Sequence, residues 1–242
     1  MRVLVIDDTQ VHIASAKECL SDHELVTAST YDQAVELIER RAPYEAVEAE
    51  AARRGISCPK HESTPKDKWG EEYEKYRNAR QQVEEELRPK QFDAVLSDLI
   101  MPASREPLSP DGLKFAGQLM PVGFALALLA AKNGAKYVAV VTATNHHNHP
   151  ASAMLDRLSS AYWSGEPAAF TINGATAGFY HAPSRQVGGT VCEGCKGTKQ
   201  EPNGKPCYSC GGTGLGKGKD WAVVLAVLQP GYKKPDPGPG IA

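Results

Sequence analysis

The sequence has no large excess of charge of either sign: 27 Lys and Arg stand against 29 Asp and Glu in 242 residues, a formal net of -2. Holding a polyphosphate by counterion release needs a cationic surplus, so wholesale nucleic-acid binding is disfavoured. Long apolar runs are missing as well. The longest, Pro121 to Ala131, has about eleven residues, short of the roughly twenty needed to span a bilayer. Met1 to Asp8 show neither a basic leader nor a small-residue cleavage site, which predicts a soluble, cytoplasmic protein. Cysteines are few, six in all, and four of them form two C-x-x-C pairs. Without an export signal such pairs point to metal before disulfides.

What is present is the composition of a globular chain, 41% hydrophobic and 23% charged. Arg2–Ile6 is a short Val/Leu/Ile run that stops at Asp7-Asp8, as expected of a strand buried on both faces. Helical spacing over Val11–Leu20 and Thr30–Arg40 flanks a strand candidate at Glu24–Ala28. This β, α, β, α order predicts a parallel sheet covered by helices. The alternation is interrupted by residues 41–90. From Glu45 to Lys90 ten Lys and Arg face eleven Asp and Glu, and Glu45–Arg54 and Trp69–Leu87 are expected to be helices with a solvated face.

The sheet pattern resumes at Phe92–Asp98, again ending in an aspartate. A loop over Pro102–Leu119, a helix over Pro121–Lys132, a strand over Tyr137–Thr142 and a helix over Ala151–Tyr162 follow. Phe170–Ile172 and Gly178–His181 compete for the fifth strand, and Trp221–Leu228 is expected to be the closing helix. Gln229–Ala242, with four prolines and three glycines, is expected to be a disordered tail.

Ligands of open parallel α/β sheets sit beyond the carboxyl ends of the strands. Two of those ends carry acids here, Asp7 and Asp8 after the first strand and Asp98 after the third. Converging carboxylates repel unless a hard cation such as magnesium lies between them, and a carboxylate beside magnesium is a competent nucleophile toward phosphorus. Thr142 adds a hydroxyl at the end of the fourth strand.

The motifs V-L-V-I-D-D at the first strand, D-A-V-L-S-D-L-I-M-P at the third and V-V-T-A at the fourth resemble the receiver domain of two-component response regulators. The resemblance covers residues 1–40 and 91 to about 183. It implies a doubly wound, five-stranded parallel sheet of flavodoxin-like type spanning 1–228, interrupted by a helical insertion and by a zinc module at 190–218. It further implies Asp98 as phosphoacceptor, Asp7, Asp8, Asp98 and the carbonyl of Ile100 as magnesium ligands, and Thr142 as the switch hydroxyl. A sensor histidine kinase or phosphotransfer protein would be the donor, and an unidentified protein would receive the output. Such a chain accepts a phosphoryl group rather than turning over an external substrate. The family's lysine at the end of the fifth strand has no counterpart before Pro183, where Ala182 stands; Asn173 occupies the place if Phe170–Asn173 is the strand. Arg185 is a conceivable substitute. The alternative is therefore an unphosphorylated scaffold. Aspartate-based phosphatases separate their first two aspartates by one residue, whereas Asp7 and Asp8 are adjacent.

Cys192-x-x-Cys195 and Cys207-x-x-Cys210, separated by nine or more residues, have the spacing of a closed tetrahedral zinc site. Each is followed by x-Gly, which resembles half of the cysteine-rich region of DnaJ chaperones. Gly211, Gly216 and Lys217 fit G-x-x-x-x-G-K, but Gly218 stands where Ser or Thr is required, so a phosphate loop is not expected and this stretch reads as a linker. His146, His147 and His149 follow the fourth strand and suggest either exposed loop residues or, less well, a second metal site.

Overall fold

The computed structural model describes residues 1–40, 42–59, 68–106, 108–143, 145–158 and 169–230. The chain divides into two units, one formed by Met1–Ile38 with the chain from Gln91 onward, the other by Glu39–Lys90. In the first, strands β1 (Arg2–Ile6), β2 (Glu24–Ala28) and β3 (Ala94–Asp98) alternate with helices α1 (Gln10–Cys19) and α2 (Tyr31–Glu39). The second holds α3 (Tyr44–Arg53) and α4 (Trp69–Leu87). Then come the two-residue strands β4 (Met101–Pro102) and β5 (Leu119–Met120), helix α5 (Gly123–Lys132), β6 (Tyr137–Thr142) and a short helix α6 (Pro150–Ala153). The chain continues through β7 (Ala169–Ile172), β8 (Ala175–His181), β9 (Ser184–Val191) and β10 (Leu215–Lys219) to α7 (Trp221–Leu228).

The main sheet has six strands in the order β2-β1-β3-β6-β8-β7. The first five are mutually parallel and β7 runs antiparallel to β8. The expected five-stranded parallel sheet therefore gains an edge strand. Both rivals for the fifth strand are strands, joined through Asn173-Gly174, whose φ values of 48° and 80° suit the tight turn of a two-residue hairpin. β8 is the fifth parallel strand.

Successive residues of β1 point to opposite faces, and both faces are covered. Leu4 and Ile6 join Val95, Val138, Val140 and Phe179 against Ala34 and Ile38 of α2 and Leu126 and Ala130 of α5. Val3 and Val5 join Leu96, Ala139, Val141 and Tyr180 against Ile13 and Ala16 of α1, Leu20 just after it, and Trp221, Val224, Leu225 and Leu228 of α7. This double burial is why β1, β3 and β6 read as apolar runs, and the parallel register brings their carboxyl ends level.

Other expectations shift in detail. The loop over Pro102–Leu119 is bracketed by the β4–β5 pair and contains a 3-10 turn at Leu113–Phe115. The helix expected over Ala151–Tyr162 is α6 followed by a 3-10 segment, Met154–Leu158, with residues 159–162 outside the described residues. Most of the expected disordered tail, 231–242, also lies outside them. The cysteine pairs are carried between β9, which begins at Ser184, and β10, which ends at Lys219. Gly216–Gly218, read as linker, is part of β10.

In the second unit α3 and α4 bury Val47, Val83 and Ala42, with Ile56 packed on them. Arg54 bridges Glu50 of α3 to Glu86 of α4, and Arg80 of α4 meets Glu48 of α3 at 2.8 Å. The small core and these cross-links explain why a strongly polar segment folds as a helical pair. Among the described residues no helix is long and apolar enough to cross a membrane.

Candidate functional site

Ile6 pairs with Ser97, so the next residues, Asp7 and Asp98, leave their strands at the same level. Asp7 is fully buried, and its Oδ1 accepts the Thr9 N–H at 2.9 Å in a turn that leads into α1. Asp7, Asp8 and Asp98 each offer an oxygen, and these lie within 4.8 Å of one another. Asp98 pairs with Val141, which brings the buried Thr142 to the same lip one residue further on. Ile100 follows Asp98 by two residues and is partly buried beside the apolar core. Close behind, α5 rests on the end of β3: the N–H of Gly123 donates to the Leu99 carbonyl at 3.0 Å, and any Cβ at 123 would collide with the carbonyl of Asp98.

A lysine far along the chain, Lys219, reaches two of these acids. Its Nζ donates to Asp7 Oδ2 at 2.7 Å and to Asp98 Oδ1, and the side chain is 2% exposed. Neither Ala182 nor Asn173 takes the place, and Arg185 does not substitute. Ala182 only continues the pairing of β8 by donating its N–H to the Thr142 carbonyl. Asn173 sits in the β7–β8 turn with its Nδ2 on the Ala131 carbonyl, and Arg185 faces Glu18 at 3.6 Å. After β8 the chain runs out along β9, through the cysteine pairs, and back along β10, so that Lys219 arrives 36 positions after Pro183. The readable signal was the position of Lys219 just before Asp220, which caps α7 by accepting the Val223 N–H. Lys219 is thus the final residue of β10, next to the cap of α7.

Helix α1 fixes the returning backbone. His12 Nδ1 accepts the Lys219 N–H at 3.2 Å, Ser15 Oγ donates to the Lys219 carbonyl at 2.7 Å, and the Trp221 indole N–H donates to the His12 carbonyl at 3.0 Å. A Cβ at Gly218 would lie 2.5 Å from Ser15 Cβ and 2.8 Å from the Val11 carbonyl oxygen. The glycines of this stretch therefore let β10 lie against α1.

Three carboxylates against one ammonium leave the pocket with an excess of negative charge when all are ionised. Burial, followed by the neighbouring Asp7, pushes the Asp98 carboxyl up to about 6, against the opposing pull of Lys219. Burial, then Asp7, also raises Asp8. Burial lowers His12, consistent with a neutral ring whose Nδ1 accepts a hydrogen bond.

Cys192, Cys195, Cys207 and Cys210 are all buried, and their sulfurs lie within 4.8 Å of one another at the tip of the β9–β10 ribbon. The sulfurs of Cys192 and Cys207 are 3.9 Å apart and those of Cys195 and Cys210 3.7 Å, distances that suit four thiolates around one ion. Burial opposes ionisation of Cys210, but the Gly214 N–H at 3.3 Å and the neighbouring thiols bring it down to about 6. The histidine loop forms no comparable group among the described residues. His149 Nδ1 accepts the Ala151 N–H and caps α6, while the side chain of His146 lies outside the described residues.

No protein-family model, no curated protein and no solved structure matches this chain.

Proposed function

We propose that the chain is a receiver-like switch of two-component signalling, in which Asp98 accepts a phosphoryl group from a sensor histidine kinase or phosphotransfer protein and passes the signal on by protein–protein contact. The observation that carries this reading is the Lys219 ammonium shared between Asp7 and Asp98 at the carboxyl lip of the parallel strands. Two features support it: the order β2-β1-β3-β6-β8 of the parallel strands is that of flavodoxin-like sheets, and the acids stand where such sheets bind ligands.

An Asp98 carboxylate oxygen attacks phosphorus, the bond from phosphorus to the donor breaks, and the donor leaves with its electron pair. The product is an acyl phosphate. Lys219 then follows the new negative charge from the carboxylate to a phosphoryl oxygen, and the Thr142 hydroxyl donates to another. The all-oxygen donor set of Asp7, Asp8, Asp98 and the Ile100 carbonyl fits magnesium, which offsets charge on the transferring group when bound. The four thiolates fit zinc with every tetrahedral position filled, which assigns it a structural role. The unphosphorylated scaffold rested on a missing lysine, and Lys219 removes that reason.

Incubation with acetyl phosphate and magnesium, followed by intact-mass measurement, tests the reading. The wild-type chain should gain one phosphoryl group and the Asp98→Ala chain none. A wild-type mass that does not change rules the switch out.

A further inference from the structure

Lys219 reaches the carboxylates from a strand that, among the described residues, pairs only with β9 and lies outside the main sheet. That ribbon is a weak element in its own right. Gly188, Gly189, Gly216 and Gly218 interrupt it, and the register shifts between Leu215 and Gly216. Glycine lowers strand stability, and two-stranded ribbons alone are marginal in water. Two attachments compensate. Along one side, α1 packs on both strands, with Val11 and Ser15 against Gly216 and Gly218 and Glu18 beside Arg185, and it binds the backbone of Lys219 through His12 and Ser15. At the tip, the cysteine cluster begins where the ladder ends: Leu215 pairs with Val191, and the next residue, Cys192, donates its N–H to the Gly214 carbonyl.

A metal held by the four thiolates removes most of the chain entropy that opposes bringing β10 back beside β9. Without it, the segment Cys192–Gly214 is closed by turns, the Gln200–Pro206 bridge and a few backbone hydrogen bonds such as Cys192 N–H to the Gly214 carbonyl. We infer that metal in the four-cysteine site governs the placement of Lys219, and so the cation balance of the Asp7–Asp8–Asp98 pocket: with the tip closed the ammonium is held between Asp7 and Asp98, and with the tip open the ribbon loosens and the ammonium withdraws. This rests on the cysteines binding a metal and not on phosphoryl transfer to Asp98.

Hydrogen exchange read by mass spectrometry on the full chain tests the coupling, comparing the protein as purified with a Cys207→Ser/Cys210→Ser variant and with wild type stripped of metal by a thiol-directed mercurial. Peptides covering 184–191 and 215–221 should exchange roughly fivefold faster or more, the lower end of ordinary site-to-site coupling, while those of β1, β3 and β6 keep their protection. Unchanged exchange at 215–221, loss of protection throughout, or absence of thiolate-bound metal from the purified protein would each overturn the proposal. A second arm uses manganese as an oxygen-seeking probe of the acidic pocket, its free concentration followed by electron paramagnetic resonance. Loss of the cysteines should tighten manganese binding when Lys219 is present and leave it unchanged in a Lys219→Met background; an equal change in both backgrounds contradicts the coupling. Failure of every form to bind manganese counts against the acidic pocket as a cation site, and the exchange arm then decides the coupling alone.

Discussion

The Nζ of Lys219 lies 2.7 Å from Oδ2 of Asp7 across 212 positions of sequence, in a pocket that buries both side chains. A buried ion pair of this kind contributes little net stability by existing, but losing one partner leaves the other charge uncompensated. Lys219→Met should therefore lower the unfolding free energy by about 3 kcal/mol at neutral pH in metal-free buffer, read by urea denaturation. Excess magnesium should restore part of the loss, because it supplies the missing positive charge. Equal stability of the two proteins without metal contradicts the pairing.

Asp98 carries the opposite pH signature from an ordinary salt-bridged carboxylate. Its pKa rises from 3.8 to about 6 on folding, mainly through burial. Between those values the native chain holds a proton that the unfolded chain releases, so this group's contribution to stability falls as pH rises through the window, by on the order of 2–3 kcal/mol. Denaturation of wild type and Asp98→Asn across this range isolates the effect: wild type should lose stability relative to the variant as pH rises. Protons compete with a cation for the same oxygens, so magnesium affinity should weaken below about pH 6.

The parts of the site that could be read in the sequence are those carried by local pattern. Asp7, Asp8 and Asp98 each follow an apolar run, and the run itself says that the strand is covered on both faces and ends at a lip. The cysteines announce themselves by spacing. Lys219 does not, because its place is set by the non-local pairing of β10 with β9 and by hydrogen bonds to His12 and Ser15, more than 200 positions away. Its neighbours in sequence, alternating Gly and Lys, resemble a linker because they pack against α1 with no side chain to spare. The pairing of β7 with β8 was missed for a different reason: Asn173-Gly174 is a strong hairpin signal, but the flanking apolar runs look like alternatives when each is weighed for a single parallel strand.

Gly123 tests how closely the backbone is packed behind the acidic lip, and Gly70, in the helical unit, gives the contrasting case of an open helical glycine. A methyl group at 123 meets the backbone carbonyl of Asp98, with no flexible side chain able to yield, whereas one at Gly70 in α4 meets nothing within 4 Å. Gly123→Ala should cost about 2 kcal/mol or more by forcing α5 off the end of β3. Gly70→Ala should stabilise the helical unit by about 0.5–1 kcal/mol, because it restricts the unfolded chain and restores helix propensity. Thermal unfolding of the two variants should shift in opposite directions; stability unchanged by Gly123→Ala would mean that α5 does not rest on Asp98.

The four buried sulfurs make a stoichiometric prediction. Elemental analysis of the protein as purified should find one zinc per chain, since four thiolates complete the tetrahedron and leave no position for a second ion. Cys207→Ala removes one thiolate and leaves the others crowded in a buried cluster, so zinc should fall well below one equivalent. Cys58, exposed and far from the cluster in sequence, provides the control: Cys58→Ala should retain the metal in full. Zinc retained in the Cys207 variant would place the ion elsewhere on the chain, and equal loss in both variants would show that the metal does not distinguish the knuckle from an exposed thiol.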